Sequence, residues 1–262
     1  MSRPVSVTYR IWATPAEVAS AAAELFTSVA AEAAAGSGAA RIAISGGTTP
    51  KAMFALLADR SAPYFARMPW SQLHLFWVDE RCVPPTDAES NFRMTDEAML
   101  QHVPLPAEQI HRMEGELDPA IAAARYAAEL RAEFGPGIPL FDLVLLGMGD
   151  DGHTASLFPH TAALSNLESL VVANHVPQKD TWRITLTSPV INWAGKVAFL
   201  IEGAGKAQVV HDVLLGPYDP ESKPSQLIRP ANGELTLLLD AAAASKLPVP
   251  IGAVAGGRLE IS

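Results

Sequence analysis

The sequence predicts an α/β fold: a doubly wound, mainly parallel sheet with helices on both faces. Three observations point there. Largely apolar runs recur at 41–45 (RIAIS), 73–78 (LHLFWV), 143–146 (LVLL) and 196–201 (KVAFLI), and the four consecutive aliphatics of 143–146 suit a strand covered on both faces. Helix-forming segments separate them, as βα units require. Several runs end in a glycine-rich or charged loop, and open α/β sheets hold ligands outside the carboxyl ends of their strands.

Taken in order, Val5, Val7, Tyr9 and Ile11 alternate and mark a first strand. Thr14-Pro15-Ala16-Glu17 is a capping box with proline at the first helical position, so a helix is expected to about 35, with Gly36 past its end. The strand 41–45 runs into Gly46-Gly47-Thr48-Thr49-Pro50 and a helix at 51–58. Backbone N–H groups at such a helix start form an anion site, although the Gly-Lys-Ser/Thr ending of a P-loop is missing. The strand 73–78 ends in Asp79-Glu80-Arg81, and Ser90-Asn91 opens a helix at 91–101. Two acids beside a buried strand are costly unless paired or functional. Asp118-Pro119 opens a helix to about 133, stopped by Gly135.

The strand 143–146 leads to Gly147-Met-Gly-Asp-Asp-Gly152-His153, an apolar run 155–158 and Pro159. Its three glycines suit a sharp turn, and an imidazole beside carboxylates suits a general base near neutral pH. The same stretch matches the dinucleotide fingerprint, with Glu168 near the ribose position. That reading fails because Pro159 ends any helix after about two turns. Further strands are expected at 170–173, 182–186 and 234–239, and short helices at 189–193, 206–214 and 241–246. Arg183 and Thr185 share one strand face, and Lys206 stands at a helix start as a second anion ligand. The Pro-, Gly- and Ser-rich stretch 216–233 reads as an ordered surface loop.

The chain of 262 residues, 49% hydrophobic, suffices for a single domain with its core at about 5–247 and a tail, 248–262, read as an added edge strand. A net charge of −9 disfavours nucleic acid and anionic membranes as partners. One cysteine, Cys82, leaves no internal disulfide, which fits a reducing cytoplasm. No signal peptide and no run of 18 apolar residues is seen. The seven histidines show no metal-ligand spacing, so neither a metal nor another cofactor is expected.

Four signatures then stand together: Ser45-Gly-Gly-Thr-Thr-Pro50; Val78-Asp-Glu-Arg81 with Ser90-Asn91; Gly147 through Pro159; and Arg183-Ile-Thr-Leu-Thr187 with Ile191-Asn192 and 203–207. In these the chain resembles the 6-phosphogluconolactonases of the glucosamine-6-phosphate deaminase/isomerase superfamily, over about residues 10–245. Trp193 departs from the pattern, where many members carry a basic residue. The resemblance implies metal-free hydrolysis of 6-phospho-D-glucono-1,5-lactone by a single domain, and the expected assembly is a monomer or weak homodimer. It also implies His153 as the base, Asp151 or Asp79 to orient the imidazole or the substrate hydroxyls, and Gly46, Gly47, Thr48, Thr49, Arg81, Asn91, Gly152, Arg183 and Lys206 around the sugar phosphate. A deaminase of the same superfamily would carry Glu at position 158, and this chain has Phe158. A non-catalytic sugar-phosphate sensor would need neither His153 nor an acidic chain without a DNA-binding module.

Overall fold

The computed structural model describes residues 5–230, 232–248 and 255–261. The strands are β1 (Val5–Trp12), β2 (Ala40–Ile44), β3 (Leu73–Trp77), β4 (Asp79–Arg81), β5 (Ile110–His111), β6 (Leu143–Leu146), β7 (Val171–Val176), β8 (Thr181–Leu186), β9 (Lys196–Ile201), β10 (Glu234–Asp240) and β11 (Ala255–Ile261). The α-helices are α1 (Pro15–Ser37), α2 (Thr48–Ala58), α3 (Asn91–Ala98), α4 (Pro119–Phe134), α5 (Ser188–Asn192) and α6 (Ala207–Leu215). Eight strands form one sheet in the order β11-β1-β10-β9-β6-β2-β3-β5. Every pairing in it is parallel except β11 against β1, so the tail supplies an antiparallel edge.

Helices cover both faces. Val18, Phe26 and Val29 of α1 and Met53, Phe54 and Leu57 of α2 pack with Ile42, Ile44, Leu73 and Leu75 on one side. Tyr126 and Leu130 of α4, Ile191 of α5 and Val210 of α6 pack with Val144, Leu146, Phe199 and Leu237 on the other. Phe26 is fully buried, and Phe26→Ala should cost about 3–5 kcal/mol. The α1 capping box forms, with Thr14 Oγ1 accepting from Glu17 N. Helix α1 runs past Gly36 and ends at Gly38, whose φ of 86° provides the left-handed cap that the sequence reading gave to Gly36. Helix α1 is long and apolar enough to cross a bilayer, but half of its apolar window is buried in this protein.

Three local expectations change. Asp79–Arg81 is a strand, because it completes a second sheet, β4-β8-β7, that is antiparallel throughout. The run 155–158 forms no helix; a Thr154–Leu157 bridge and a left-handed Ala155 (φ 47°) close a tight turn instead. Residues 241–246 make hydrogen-bonded turns rather than an α-helix. The stretch 216–233 also reaches inward: Ser225 and Gln226 are buried, and Ser225 donates through N and Oγ to Gly152 O, each at 2.8 Å.

Candidate active site

The loops after β2, β3 and β6 converge with β8 on a cavity of about 320 Å³. Its lining includes Gly46, Gly47, Thr48, Thr49, Asp79, Arg81, Asn91, His153, Arg183 and Lys206. These are ten of the residues expected from the sequence. Asp151 and Gly152 are not part of this lining.

The His153 loop is built for position. Asp151 Oδ1 accepts from His153 N at 3.0 Å and lies 2.6 Å from His153 Nδ1. That carboxylate keeps the ring proton on Nδ1 and leaves Nε2 as an acceptor. Nε2 has no hydrogen-bond partner among the described residues. Burial works against the Asp151 charge, but the bonds from His153 outweigh it and hold the carboxyl at about 2. Phe158 stacks on the imidazole, with centroids 4.0 Å apart and planes 22° apart. Gly152 takes φ 88°, which a residue with a Cβ resists. Gly149 is needed for a different reason: a Cβ there would collide with the His153 ring and Asp151 Oδ1. Gly147 has neither constraint, contrary to the single reason the sequence suggests for all three glycines.

The Asp79 carboxylate makes no hydrogen bond to His153. It is buried, accepts from Ser156 Oγ at 2.6 Å and lies 3.3 Å from Asn91 Nδ2. Asp151, not Asp79, is therefore the imidazole's carboxylate. Among the described residues no ion pair joins Asp79 to Arg81. Glu80 is the bracing acid: buried, it accepts from Arg81 N, Asn91 N, Phe92 N and Ser90 Oγ at 2.7–3.1 Å. Burial pushes its pKa up while the three backbone donors pull it down. It thereby fixes the start of α3 and carries Asn91 to the cavity.

Cations gather in the same cavity as His153. The antiparallel register sets Arg81 beside Arg183. Like charges directly across a sheet repel, and burial followed by the Arg81 charge lowers the Arg183 pKa from its ordinary value. An anion between them would relieve that repulsion. Lys206 also lines the cavity and pairs with exposed Asp150. Helix α2 opens at Gly47 with no side-chain cap, so its first N–H groups remain available to an anion. The Thr49 hydroxyl is already given to Glu202 Oε2 at 2.9 Å. Thr49 is left with its backbone N–H for a ligand.

The sequence reading missed Lys179, which lines the cavity with its Nζ 5.7 Å above the Phe158 ring. It also missed Ser45, whose buried Oγ has no hydrogen-bond partner, and Ser156, which fixes Asp79. Ser45 and Ser156 sit inside quoted motifs, but nothing local marks Lys179. Trp193 is exposed and does not line the cavity, while Asn192 ties the loop above it by accepting from Arg229 N and donating to Leu227 O.

Comparison with known proteins identifies the family. The family model described as glucosamine-6-phosphate isomerases/6-phosphogluconolactonase matches residues 13–237. A 6-phosphogluconolactonase of Nostoc sp. is 44% identical over 213 residues, covering 79% of this chain and 85% of the relative. One from Aggregatibacter actinomycetemcomitans is 38% identical over 208 residues, covering 79% and 88%. The solved structure of 6-phosphogluconolactonase from Trypanosoma cruzi superimposes with a TM-score of 0.80 at 28% identity, covering 95% of this chain and 98% of that one.

Proposed function

The chain belongs to the glucosamine-6-phosphate isomerase/6-phosphogluconolactonase family, and from that premise we propose its reaction and the residues that perform it. It is a lactonase that hydrolyses 6-phospho-D-glucono-1,5-lactone to 6-phospho-D-gluconate, in the pentose phosphate pathway. The observation that carries the chemistry is the Asp151–His153 contact of 2.6 Å beside a cavity lined by cations.

His153 Nε2 takes a proton from water as its oxygen attacks the lactone carbonyl carbon. The carbonyl becomes a tetrahedral oxyanion. When it collapses, the bond from carbon to the ring oxygen breaks, and the imidazolium returns the proton to that oxygen. Asp151 keeps the imidazole in the required tautomer and stabilises its charged form. Positioned base catalysis contributes about 10²–10⁴-fold. Arg183, Lys206 and the N–H groups of Gly47, Thr48 and Thr49 hold the phosphate, with Arg81 beside it. Asp79, Asn91 and Gly46 face the sugar hydroxyls. A fixed phosphate sets the reacting carbon against the base.

The reaction needs no metal in this scheme, because a lactone is an activated ester and one base suffices. The acidic chain and its single half-buried cysteine support a cytoplasmic enzyme. A monomer or weak homodimer is compatible with a cavity built from one chain. The test is to generate the lactone enzymatically and follow proton release with and without the protein. Catalysed release, retained after exhaustive chelation, is the expected result. Release at the uncatalysed rate would refute the activity, and loss on chelation would refute the metal-free scheme.

A further inference from the structure

Away from the cavity, the β5 edge of the large sheet gathers a second set of chemistry-bearing side chains. His74 of β3, His111 of β5 and Glu133 of α4 bring one ligand atom each to within 4.8 Å of one another. His111 is buried. Its Nδ1 lies 2.8 Å from Glu129 Oε1, and that carboxylate keeps the ring proton on Nδ1 and leaves Nε2 as a lone pair. Nε2 then accepts a hydrogen bond from His74 Nδ1 at 3.1 Å, and a bound ion would replace that bond, the His74 proton moving to its own Nε2. Glu133 Oε1 lies 3.6 Å from the same His74 nitrogen, too long for a hydrogen bond. Ligand atoms about 2.0–2.1 Å from a tetrahedral zinc ion stand roughly 3.3 Å apart. The His74–His111 and His74–Glu133 separations bracket that value, and the His111–Glu133 pair lies within 4.8 Å.

The rings are held in place. His111 stacks on Phe76, with centroids 4.2 Å apart and planes 5° apart, and His74 stacks on His111 at 5.3 Å. With neutral imidazoles, Glu129 and Glu133 outweigh the one adjacent guanidinium, Arg41, whose Nε and Nη2 both lie 2.9 Å from Glu133 Oε1. The local charge therefore favours a dication. Two imidazoles and one carboxylate select a transition metal over magnesium or calcium.

We propose that His74, His111 and Glu133 form a zinc-binding site that clamps β3, β5 and α4 and takes no part in the reaction. The histidines are distant in sequence, so their spacing gives no hint of it.

The full chain is stripped with chelator and titrated with zinc chloride by calorimetry, then melted with and without the metal. One equivalent should bind, and at about a hundredfold excess over Kd the Tm should rise by about 5–10 °C. His74→Ala and Glu133→Gln should each weaken binding at least about tenfold; His74 is half-buried, and circular dichroism checks that the variant folds. His153→Ala should bind zinc like the wild type. Metal-free His74→Ala should keep wild-type lactonase activity. Binding that survives His74→Ala but disappears in His153→Ala would move the metal to the cavity and overturn the proposal. So would no saturable binding below about 100 μM zinc, or an equal Tm shift with magnesium.

Discussion

His153 and His111 are built alike. Each has a carboxylate on Nδ1, Asp151 at 2.6 Å and Glu129 at 2.8 Å. Each has a phenylalanine stacked on its ring, Phe158 at 4.0 Å and Phe76 at 4.2 Å. They differ at Nε2. His111 Nε2 meets His74 inside a packed sheet edge, whereas His153 lines an open cavity. A carboxylate and a stacked ring therefore orient an imidazole without making it a catalyst. What faces the second nitrogen decides the use.

Exchanging each histidine for alanine breaks the comparison most sharply. His153→Ala should lower kcat by about 10²–10⁴-fold, with the Tm close to wild type. His111→Ala should do the reverse: it leaves kcat near wild type but removes a buried ring and leaves Glu129 unpaired, costing roughly 2–4 kcal/mol of stability. Steady-state assays and urea unfolding of both variants check this. A His153→Ala protein that folds and keeps wild-type kcat would remove the base from the mechanism.

Next in size is the phosphate grip. Each charge-assisted bond to a phosphate is worth roughly 1.5–3 kcal/mol. Arg183→Ala should therefore cost about 10- to 100-fold in kcat/KM for the phosphorylated lactone and little for glucono-1,5-lactone. Lys206→Ala should act in the same direction, with a smaller loss because Lys206 must leave Asp150 to reach a ligand. The measured quantity is the ratio of kcat/KM for the two lactones. A ratio unchanged in both variants would place the phosphate elsewhere.

The two histidines also show what a sequence can disclose. His153 was legible because its partners are local: Asp151 is two residues away, and Gly149, Gly152 and Phe158 share its loop. The capping box of α1, the strands 143–146 and 196–201, and the stop at Gly135 were legible for the same reason. His111 was not, since His74, Glu129 and Glu133 reach it only through the β3–β5 pairing and the packing of α4. The β4-β8-β7 sheet was missed because a three-residue strand has no periodicity of its own; its partner creates it. Lys179 reaches the cavity by the same small sheet. The sequence leaves Asp79 and Asp151 as equal candidates beside the imidazole, and only the fold shows that Ser156 and Asn91 hold Asp79.

Gly149→Ala tests whether the position of His153 matters apart from its presence. The added Cβ would occupy the space of the imidazole and of Asp151 Oδ1, so the ring must shift while its chemistry stays intact. A misplacement of about 1 Å can cost 10²-fold, so kcat should fall by about 10- to 100-fold, with KM nearly unchanged. If kcat holds, the loop tolerates displacement and preorganisation contributes little.

The smallest expected effect concerns acid stability, and it follows from Asp151. Its carboxyl titrates at about 2 in the folded chain, against an ordinary 3.8. A depressed folded value means that the unfolded chain binds the proton first as pH falls. The contribution to stability is thus fully present above pH ~4 and is lost between pH ~4 and ~2. Asp151 is about half exposed, so solvent screening reduces this contribution to about 1 kcal/mol or less. Other carboxylates titrate in the same window, so wild type alone cannot isolate it. Asp151→Asn keeps the shape and removes the titration. Urea unfolding of both proteins from pH 6 to pH 2 should show the stability gap between them shrinking through that window by about this amount. A gap that stays constant would mean that the short contact to His153 orients the ring without stabilising the carboxylate, and the parallel with Glu129 would then extend only to geometry.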